Sequence, residues 1–338
     1  MKIKHSIELN SLVELLIGKK TLPNVELWRS QIRALSKAIT FVENDSLLAP
    51  KLLSHAGIIR TDNKSIKTRV IGITGLPGAG KSTLTNLLIK ELRSRNKSVA
   101  VLAVDPSSSL TGGAILGDRI RMQDHFCDSK VFIRSMGSRG ALGGVAKATR
   151  SAIRLATLLE FDFILVETVG IGQSESDIIN IADTTALVLM PNSGDEIQLM
   201  KAGILQLANI YIINKCDLSD PSRMMQEIKE NTMPPNKDDW CPPVLKTSAT
   251  NKEGIEEIIN SIFLHSEYEI KQNIGRKNRN ERLRREVLQN ILIMTELDFK
   301  TETDKIPDSE IEDLAHGKTT AMALAQLIYS KYIQKNKG

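Results

Sequence analysis

Cysteine and histidine are scarce in this sequence, and the few that occur are scattered. Its 338 residues include three cysteines, Cys127, Cys216 and Cys241, which are far apart and form no CxxC pair. An odd number of isolated cysteines is not typical of a disulfide framework or of a zinc ribbon. It fits a protein of a reducing compartment. The five histidines also lack the spacing of metal ligands. This composition disfavours a protein that stores or delivers nickel or zinc.

Long apolar runs are missing as well, and aromatic residues are few. No segment approaches the roughly 20 apolar residues that a membrane span requires, and the N-terminal region lacks the unbroken apolar stretch of a signal peptide. We therefore expect a cytoplasmic protein with no membrane partner.

The net charge of +5 is mild for this length, and the basic run over residues 271–285 contains no aromatic side chain for base stacking. We expect no nucleic-acid partner.

The most specific pattern present is a glycine-rich stretch between an apolar strand pattern and an apolar helical pattern. It consists of Gly75, Leu76, Pro77, Gly78, Ala79, Gly80, Lys81, Ser82 and Thr83. Glycines at 78 and 80 allow main-chain N–H groups to approach a triphosphate, because a Cβ there would obstruct it. Lys81 supplies a charge for the β and γ oxygens, and Ser82 supplies a hydroxyl for Mg²⁺. The stretch predicts a nucleoside triphosphate site.

Strand and helix patterns alternate through the middle of the chain. The predicted strands cover residues 69–74, 98–104, 130–134, 162–167, 184–190, 209–213 and 243–247, and the predicted helices cover 82–95, 144–160, 176–182, 196–208, 220–231 and 254–268. This alternation predicts an α/β fold of the P-loop NTPase kind, with a mostly parallel sheet and helices on both faces. We expect a helical extension over 1–64, a nucleotide-binding domain over 65–265 and a helical arm over 266–338.

Carboxylates follow two of the predicted strands. Asp105 comes after the second strand and Glu167 after the fourth. Ligands of such sheets bind beyond the carboxyl ends of the strands, so both residues could hold Mg²⁺ directly or through water. Glu167 and Gly170 form an ExxG pattern, in which the glycine N–H can sense the γ-phosphate. The glycine-rich segment between the two strands adds Asp118 and Arg121, for which a solvated ion pair is the alternative interpretation.

Two further strand ends carry patterns that suit guanine. These are Asn214-Lys215-Cys216-Asp217 after the sixth strand and Ser248-Ala249-Thr250 after the seventh. The Asp217 carboxylate can accept hydrogen bonds from guanine N1–H and its amino group, a donor pair that adenine lacks. Asn214 and Lys215 would brace the loop and cover the base, and the Ser248 loop would offer a main-chain N–H to the guanine carbonyl. The sequence therefore favours GTP over ATP.

Together these motifs resemble the SIMIBI-class P-loop GTPases, and within them the methylmalonyl-CoA mutase-associated GTPases of the MeaB/ArgK type. The resemblance is carried by the phosphate loop and by residues 104–109, 167–175 and 214–217. It implies a Mg²⁺-dependent GTPase, with GTP and GDP as ligands, that acts as a chaperone of an adenosylcobalamin-dependent acyl-CoA mutase. It also implies a homodimer formed through the C-terminal arm.

The resemblance further implies roles for individual residues. The phosphate- and Mg²⁺-handling residues of the family match Lys81, Ser82, Asp105, Asp118 and Glu167. The family's third switch, a loop thought to carry the nucleotide state to the mutase, resembles the segment that contains Asp195, Gln198 and Lys201.

The mechanism of hydrolysis stays open at this point. No glutamine directly follows Gly170, so one hypothesis is slow intrinsic hydrolysis that a partner accelerates. Another is a catalytic arginine within the chain, either Arg121 or Arg119. The alternative functions are a GTP-binding metallochaperone and a scaffold whose turnover is negligible.

Overall fold

The computed structural model describes residues 11–12, 14–16, 24–44, 68–105, 122–137, 144–168, 178, 181–191, 208–234, 236, 239–272 and 274–335. Over these residues the chain forms two compact units, Met1–Gln272 and Asn273–Gly338. The first unit contains a parallel sheet covered by helices, and the second is helical. None of the helices within the described ranges is long and apolar enough to cross a membrane.

A seven-stranded sheet forms the centre of the first unit. Its strands are β1 (Arg69–Gly75), β2 (Val99–Asp105), β3 (Val131–Gly137), β4 (Phe163–Thr168), β5 (Thr184–Leu189), β6 (Ile210–Ile213) and β7 (Val244–Lys246). They lie in the order β3-β2-β4-β1-β5-β6-β7, and every neighbouring pair is parallel. All seven predicted strands are confirmed. Parallel pairing brings their carboxyl ends to one edge, which is where the predicted motifs lie.

Four of the six predicted helices are confirmed. Among the described residues, the helices of the first unit with bounds on both sides are α1 (Asn24–Asn44), α2 (Lys81–Ser94), α3 (Gly144–Thr157), α4 (Ser222–Asn231) and α5 (Ile255–Lys271). A short 3₁₀ helix covers Gln123–His125. The predicted helices over 176–182 and 196–208 fall almost entirely outside the described residues.

The two faces of the sheet bury separate apolar cores. Alternate residues of β2 divide between them: Val99 and Val101 pack with α2 and α5, whereas Ala100 and Leu102 pack with α1 and α3. A third cluster joins α4 to β5, β6 and β7, with Tyr211 at its centre. Both faces of the strands are therefore buried, which explains why the strand sequences are almost continuously apolar.

Helix α1 is part of this core. Leu35, Ala38 and Ile39 are fully buried against the cluster that includes α3. Arg134 of β3 donates to Glu43, whose side chain is 7% exposed, near the end of the helix. The N-terminal helix thus covers one face of the sheet and is fixed to its edge strand.

The second unit consists of α6 (Ile274–Thr303), α7 (Asp308–Ala315) and α8 (Ala321–Lys335) over its described residues. Phe299 of α6 stacks on Tyr329 of α8, with ring centroids 5.7 Å apart, and packs at a tilt against Tyr332, at 4.7 Å. Leu324 of α8 is buried as well. These contacts hold α6 against α8.

Truncation at Ile39 should measure how much α1 contributes to stability. We expect Ile39→Ala to lower the free energy of unfolding by about 2–5 kcal/mol, because it leaves a cavity in a fully packed core. The exposed neighbour Lys37→Ala should change it by less than about 0.5 kcal/mol. Denaturant titration measures both values, and equal values for the two variants would contradict an integral role for α1.

His265 of α5 is buried at the opposite edge of the sheet from the motifs. Its Nδ1 lies 2.8 Å from Thr184 Oγ1, and its ring packs against Trp240. Burial lowers the pKa of His265 from 6.5 to about 4; Asp183 opposes this shift and Arg69 adds to it. Above pH 6.5 the imidazole is neutral in both the folded and the unfolded protein. Between pH 6.5 and about pH 4 the imidazole is protonated in the unfolded protein but stays neutral in the folded protein.

The protein should therefore lose stability as the pH falls from 6.5 to 4, with about 3 kcal/mol of the loss due to His265. In His265→Gln the free energy of unfolding should depend less on pH across this window, because the titrating group is gone. Denaturant unfolding above pH 6.5 and at pH 4 measures the difference. The same pH dependence in both proteins would refute the assignment.

Candidate nucleotide site

The glycine-rich loop connects β1 to α2 at the carboxyl edge of the sheet. β1 ends at Gly75, residues 76–80 form the turn, and α2 begins at Lys81. Gly78 and Gly80 have φ values of 79° and 87°, which favour glycine because a side chain would clash with the backbone. A Cβ on Gly78 would meet no atom within 4 Å, so the loop is open at that point. The open loop ends at the N-terminus of α2, where free N–H groups and the helix dipole favour an anion.

Gly75 and Gly80 allow the loop to approach its neighbours. A Cβ on Gly75 would lie 2.0 Å from the carbonyl oxygen of Val188 in β5. A Cβ on Gly80 would lie 2.4 Å from Asn214 Nδ2, in the loop after β6. Sequence reasoning explained Gly80 by the approach of a phosphate, and the structure adds close packing against a second loop. Glycine at 80 therefore joins two loops that are 134 residues apart in sequence.

Lys81 holds its charge within the loop. Only 7% of the residue is exposed, and Nζ donates to the carbonyl oxygens of Gly75, at 2.6 Å, and Leu76, at 2.8 Å. Burying an ammonium is costly unless it is hydrogen-bonded, and these carbonyls meet that need. The ammonium is thus positioned beside any anion bound in the loop.

Ser82 and Glu167, which belong to different motifs, are in direct contact. Ser82 Oγ donates to Glu167 Oε1 at 2.6 Å, and the two residues are 8% and 1% exposed. Hydroxyl and carboxylate oxygens are the hard ligands that Mg²⁺ prefers, so this pair fits the ion that the sequence predicts. Asp105 is the last residue of β2, which pairs with β4; its side chain lies outside the described part of the structure.

Asn214 connects three segments at the same edge. Its Nδ2 donates to the Ala79 carbonyl of the glycine-rich loop at 2.8 Å. Its Oδ1 accepts from the Ala249 N–H at 3.0 Å and from Thr247 Oγ1 at 3.2 Å. Asn214 itself is 1% exposed. Asn214 therefore links the glycine-rich loop to the segments after β6 and β7.

Ser248 orients the carboxylate of Asp217. Ser248 Oγ donates to Asp217 Oδ1 at 2.6 Å and accepts from the Asn251 N–H at 3.2 Å, and Ser248 pairs with Glu253 to close its own loop. Asp217 is exposed, so its carboxylate can reach a ligand. Lys215, two residues earlier, has a φ of 64° in the left-handed region. Sequence reasoning considered only main-chain donors in the Ser248 loop and missed this hydroxyl contact.

A face of α2 also fixes the segment 122–130, and sequence reasoning missed it too. The contacts are Asn86 Oδ1 with His125 Nε2 at 2.6 Å, Lys90 Nζ with Asp124 at 2.7 Å and Arg93 Nε with Asp128 at 2.7 Å. Positions 86, 90 and 93 share one helix face, which is the only signal that the sequence offers for them. Met122 is buried beneath α2 at the start of this segment.

Some predicted site residues belong to segments that the structure does not describe. Asp118, Arg119, Arg121, Asp195, Gln198 and Lys201 lie outside the described residues. Pro77 is exposed in the loop, Thr83 is exposed on α2, and Thr250 is exposed after Ala249. The structure therefore brings together the phosphate-loop residues, Glu167 and the two loops with guanine motifs. These are residues 214–217, called the base loop below, and residues 248–250.

Comparison with known proteins agrees with this geometry. A model of the family described as methylmalonyl Co-A mutase-associated GTPase MeaB matches residues 35–305. A Pyrococcus abyssi protein named as a GTPase is 44% identical over 261 residues, which cover 75% of this chain and 78% of that protein. The mitochondrial methylmalonic aciduria type A homolog of Caenorhabditis elegans is 36% identical over 225 residues, covering 65% and 55%.

Among solved structures, a LAO/AO transport system kinase aligns with a TM-score of 0.62 and 25% identity. The alignment covers 93% of this chain and 100% of that one. A Caulobacter vibrioides protein named as a GTPase is 40% identical over 242 residues, or 69% of this chain and 73% of the relative. The sheet and the glycine-rich loop thus have a known structural counterpart.

Gly80→Ala should weaken guanine-nucleotide binding by about tenfold or more. The change strains a left-handed backbone and drives a Cβ into the Asn214 amide, which would separate the two loops. Gly317→Ala is a matched control, because Gly317 has a φ of 71° with open space around it in the second unit. Titration with a fluorescent GDP analogue measures both variants. Equal affinity in Gly80→Ala and Gly317→Ala would contradict the role given to the contact.

Proposed function

Because the chain belongs to the MeaB family of methylmalonyl Co-A mutase-associated GTPases and is a GTPase, we propose that it uses Mg²⁺-dependent GTP hydrolysis to regulate a cobalamin-dependent acyl-CoA mutase. Its fold is that of a P-loop NTPase, and the predicted resemblance is confirmed. The observation that supports Mg²⁺-dependent hydrolysis is the buried contact between Ser82 and Glu167 beside the phosphate loop, whereas the mutase partner is inferred from the family. The following steps assign the chemistry to the residues at this edge.

Ser82 and Glu167 are the residues proposed to hold Mg²⁺. They provide one hydroxyl and one carboxylate oxygen at the position where α2 begins, and Asp105 and Asp118 are further candidates from the sequence. Bound there, Mg²⁺ would neutralise part of the charge of the phosphate oxygens. Two or so protein ligands are enough, because Mg²⁺ in nucleotide sites keeps several waters.

Lys81 and the loop amides are proposed to hold the triphosphate. The Lys81 ammonium now satisfies two carbonyl oxygens, and phosphate oxygens are stronger acceptors that would compete for the same protons. As water attacks the γ-phosphorus, the bond from that phosphorus to the oxygen it shares with the β-phosphate breaks, and GDP and phosphate are released. Negative charge on the phosphate oxygens would be stabilised by the Lys81 ammonium and by the N–H groups at the start of α2. Arg121 or Arg119 could add a guanidinium to that charge.

Asp217 is proposed to select guanine. Its Oδ1 already accepts from Ser248, and a carboxylate has lone pairs to accept the two guanine donors as well. The Ser248 contact restricts rotation of the carboxylate, so less entropy is lost when the base binds. Adenine lacks the N1–H and amino donors of guanine and would leave the Asp217 carboxylate without these hydrogen bonds. GTP should therefore be preferred over ATP.

Communication with the mutase is proposed to pass through β5. Val188 lies against Gly75 of the phosphate loop, and the Leu189 carbonyl accepts from the Asn214 N–H at 2.8 Å. The strand therefore touches both the phosphate loop and the base loop before the chain continues into residues 192–201. That segment contains Asp195, Gln198 and Lys201, the proposed third switch. A change in bound nucleotide could displace it through these two contacts.

A homodimer is proposed to form through the second unit. One side of α6 exposes an apolar stripe with every member at least 42% exposed: Leu283, Val287, Leu288, Ile291 and Leu292. Such a contiguous stripe is unfavourable in water and is typical of a partner helix surface. The resemblance implies the same arm as the dimer contact.

Glu167→Gln should slow GTP hydrolysis on the order of a hundredfold and weaken its dependence on Mg²⁺, because a charged metal ligand becomes neutral. Glu91→Gln serves as the control, since Glu91 lies on α2 and pairs with Arg95 away from the loop. Phosphate release at increasing Mg²⁺ concentrations measures both. Wild-type turnover in Glu167→Gln would remove Glu167 from the metal site.

Regulation of a mutase is tested by adding one. Phosphate release should accelerate when an adenosylcobalamin-dependent acyl-CoA mutase is present, because the proposed partner acts on the nucleotide site. A mutase-independent rate, together with no complex in gel filtration, would contradict the regulatory role. A negligible rate under all conditions would instead favour the scaffold alternative.

A further inference from the structure

Strands β1 and β4 separate at the edge where the site lies. Their main-chain pairing ends with Ile73 opposite Glu167. Beyond this pair β1 continues beside β5, as far as Gly75 opposite Val188, and β4 continues beside β2 as far as Thr168. One residue beyond the last main-chain pair, a side-chain hydrogen bond links the two strands: Thr168 Oγ1 donates to Thr74 Oγ1 at 3.1 Å.

This bond closes a ring of contacts around the site. Thr74 precedes Gly75, whose carbonyl accepts from Lys81 Nζ. Lys81 precedes Ser82, which donates to Glu167, and Glu167 precedes Thr168. The ring is therefore made of three hydrogen bonds joined by three peptide bonds. All of its side chains are less than 10% exposed.

Packing does not explain the two hydroxyl groups. Thr74 and Thr168 are 1% and 2% exposed, at the ends of strands that are otherwise almost wholly apolar. Two valines would have the same shape and would bury no polar atom, so packing alone would favour them. What the hydroxyls add is a directional link between the loop of Lys81 and the strand end of Glu167.

We propose that the hydrogen bond between Thr168 and Thr74 is a positioning contact for GTP hydrolysis. It fixes the distance between the strand that leads into the phosphate loop and the strand that carries Glu167, at the point where main-chain pairing no longer does so. The inference rests on the proposed roles of Lys81, Ser82 and Glu167. Neither threonine contacts the substrate; each acts through the residue next to it in the chain.

The contact should affect turnover more than binding. GDP binding depends mainly on the loop amides and on the loop after β6, and neither threonine belongs to these. Hydrolysis also requires the ammonium and the carboxylate to hold their relative positions, and small displacements lower rates strongly. Loss of one such hydrogen bond should lower kcat by about three- to tenfold, with the Kd for GDP changed less than about twofold.

Isosteric replacements test this directly. Thr74→Val and Thr168→Val should each reduce kcat and also lower the melting temperature, because each leaves one buried hydroxyl without its partner. The double variant Thr74→Val/Thr168→Val should regain most of the melting temperature, since both hydroxyls are gone. Its kcat should stay as low as that of the single variants, because the positioning bond is still absent.

Two further variants supply the controls. Thr168→Ser keeps the hydroxyl and should retain wild-type kcat. Thr184→Val removes a buried hydroxyl that contacts His265 at the opposite edge of the sheet, so it should lower the melting temperature while leaving kcat unchanged. A kcat that recovers together with the melting temperature in the double variant would overturn the proposal, because the pair would then be structural only. Wild-type kcat in both single variants would overturn it as well.

Glu167→Gln, assayed alongside, separates this inference from the function on which it rests. Normal turnover in Glu167→Gln contradicts the proposed metal site itself. Slow turnover in Glu167→Gln with normal turnover in the threonine variants contradicts only the positioning contact.

Discussion

A buried ammonium and a buried carboxylate at one edge of an apolar sheet are the constraint on which this structure depends. Lys81 and Glu167 are 7% and 1% exposed, and an ionised group in such surroundings costs several kcal/mol unless hydrogen bonds compensate it. The carbonyls of the phosphate loop satisfy Lys81, and the hydroxyl of Ser82 contacts Glu167. The turn that provides these partners exists because glycine can occupy its left-handed positions.

The base loops are attached to the same constraint. Asn214 links the phosphate loop to the segment after β7. This contact is possible because Gly80 has no Cβ, which would collide with the Asn214 amide. A ligand that fills the phosphate loop therefore meets a base loop already held in place. Because β5 touches both loops, the strand that leads towards residues 192–201 lies against the parts of the molecule that a nucleotide would contact. One set of packed contacts thus joins the phosphate loop, the loop after β6 and β5.

Much of the fold and of the site was predictable because both follow from order along the chain. Alternating patterns predict a parallel sheet, parallel strands share a carboxyl edge, and the motifs follow strand ends; this reasoning places Ser82 near Glu167, 85 residues away. It does not give the register between strands or the face that a helix buries. The contacts of Ser248 with Asp217, of Asn86 with His125 and of Thr168 with Thr74 depend on those details. The sequence of α1 shows an apolar side but not that it covers the β2 and β4 face of the sheet.

The central claim is that the edge formed by Lys81, Glu167 and Asp217 binds guanine nucleotides with Mg²⁺. Titration calorimetry with GDP and with ADP, each in the presence of Mg²⁺ and of a chelator, tests it most directly. The account predicts saturable heat for one GDP per chain, a weaker affinity when Mg²⁺ is removed, and no saturable heat with ADP at the same concentrations. Absence of saturable heat with GDP, or equal heats for the two nucleotides, would contradict it.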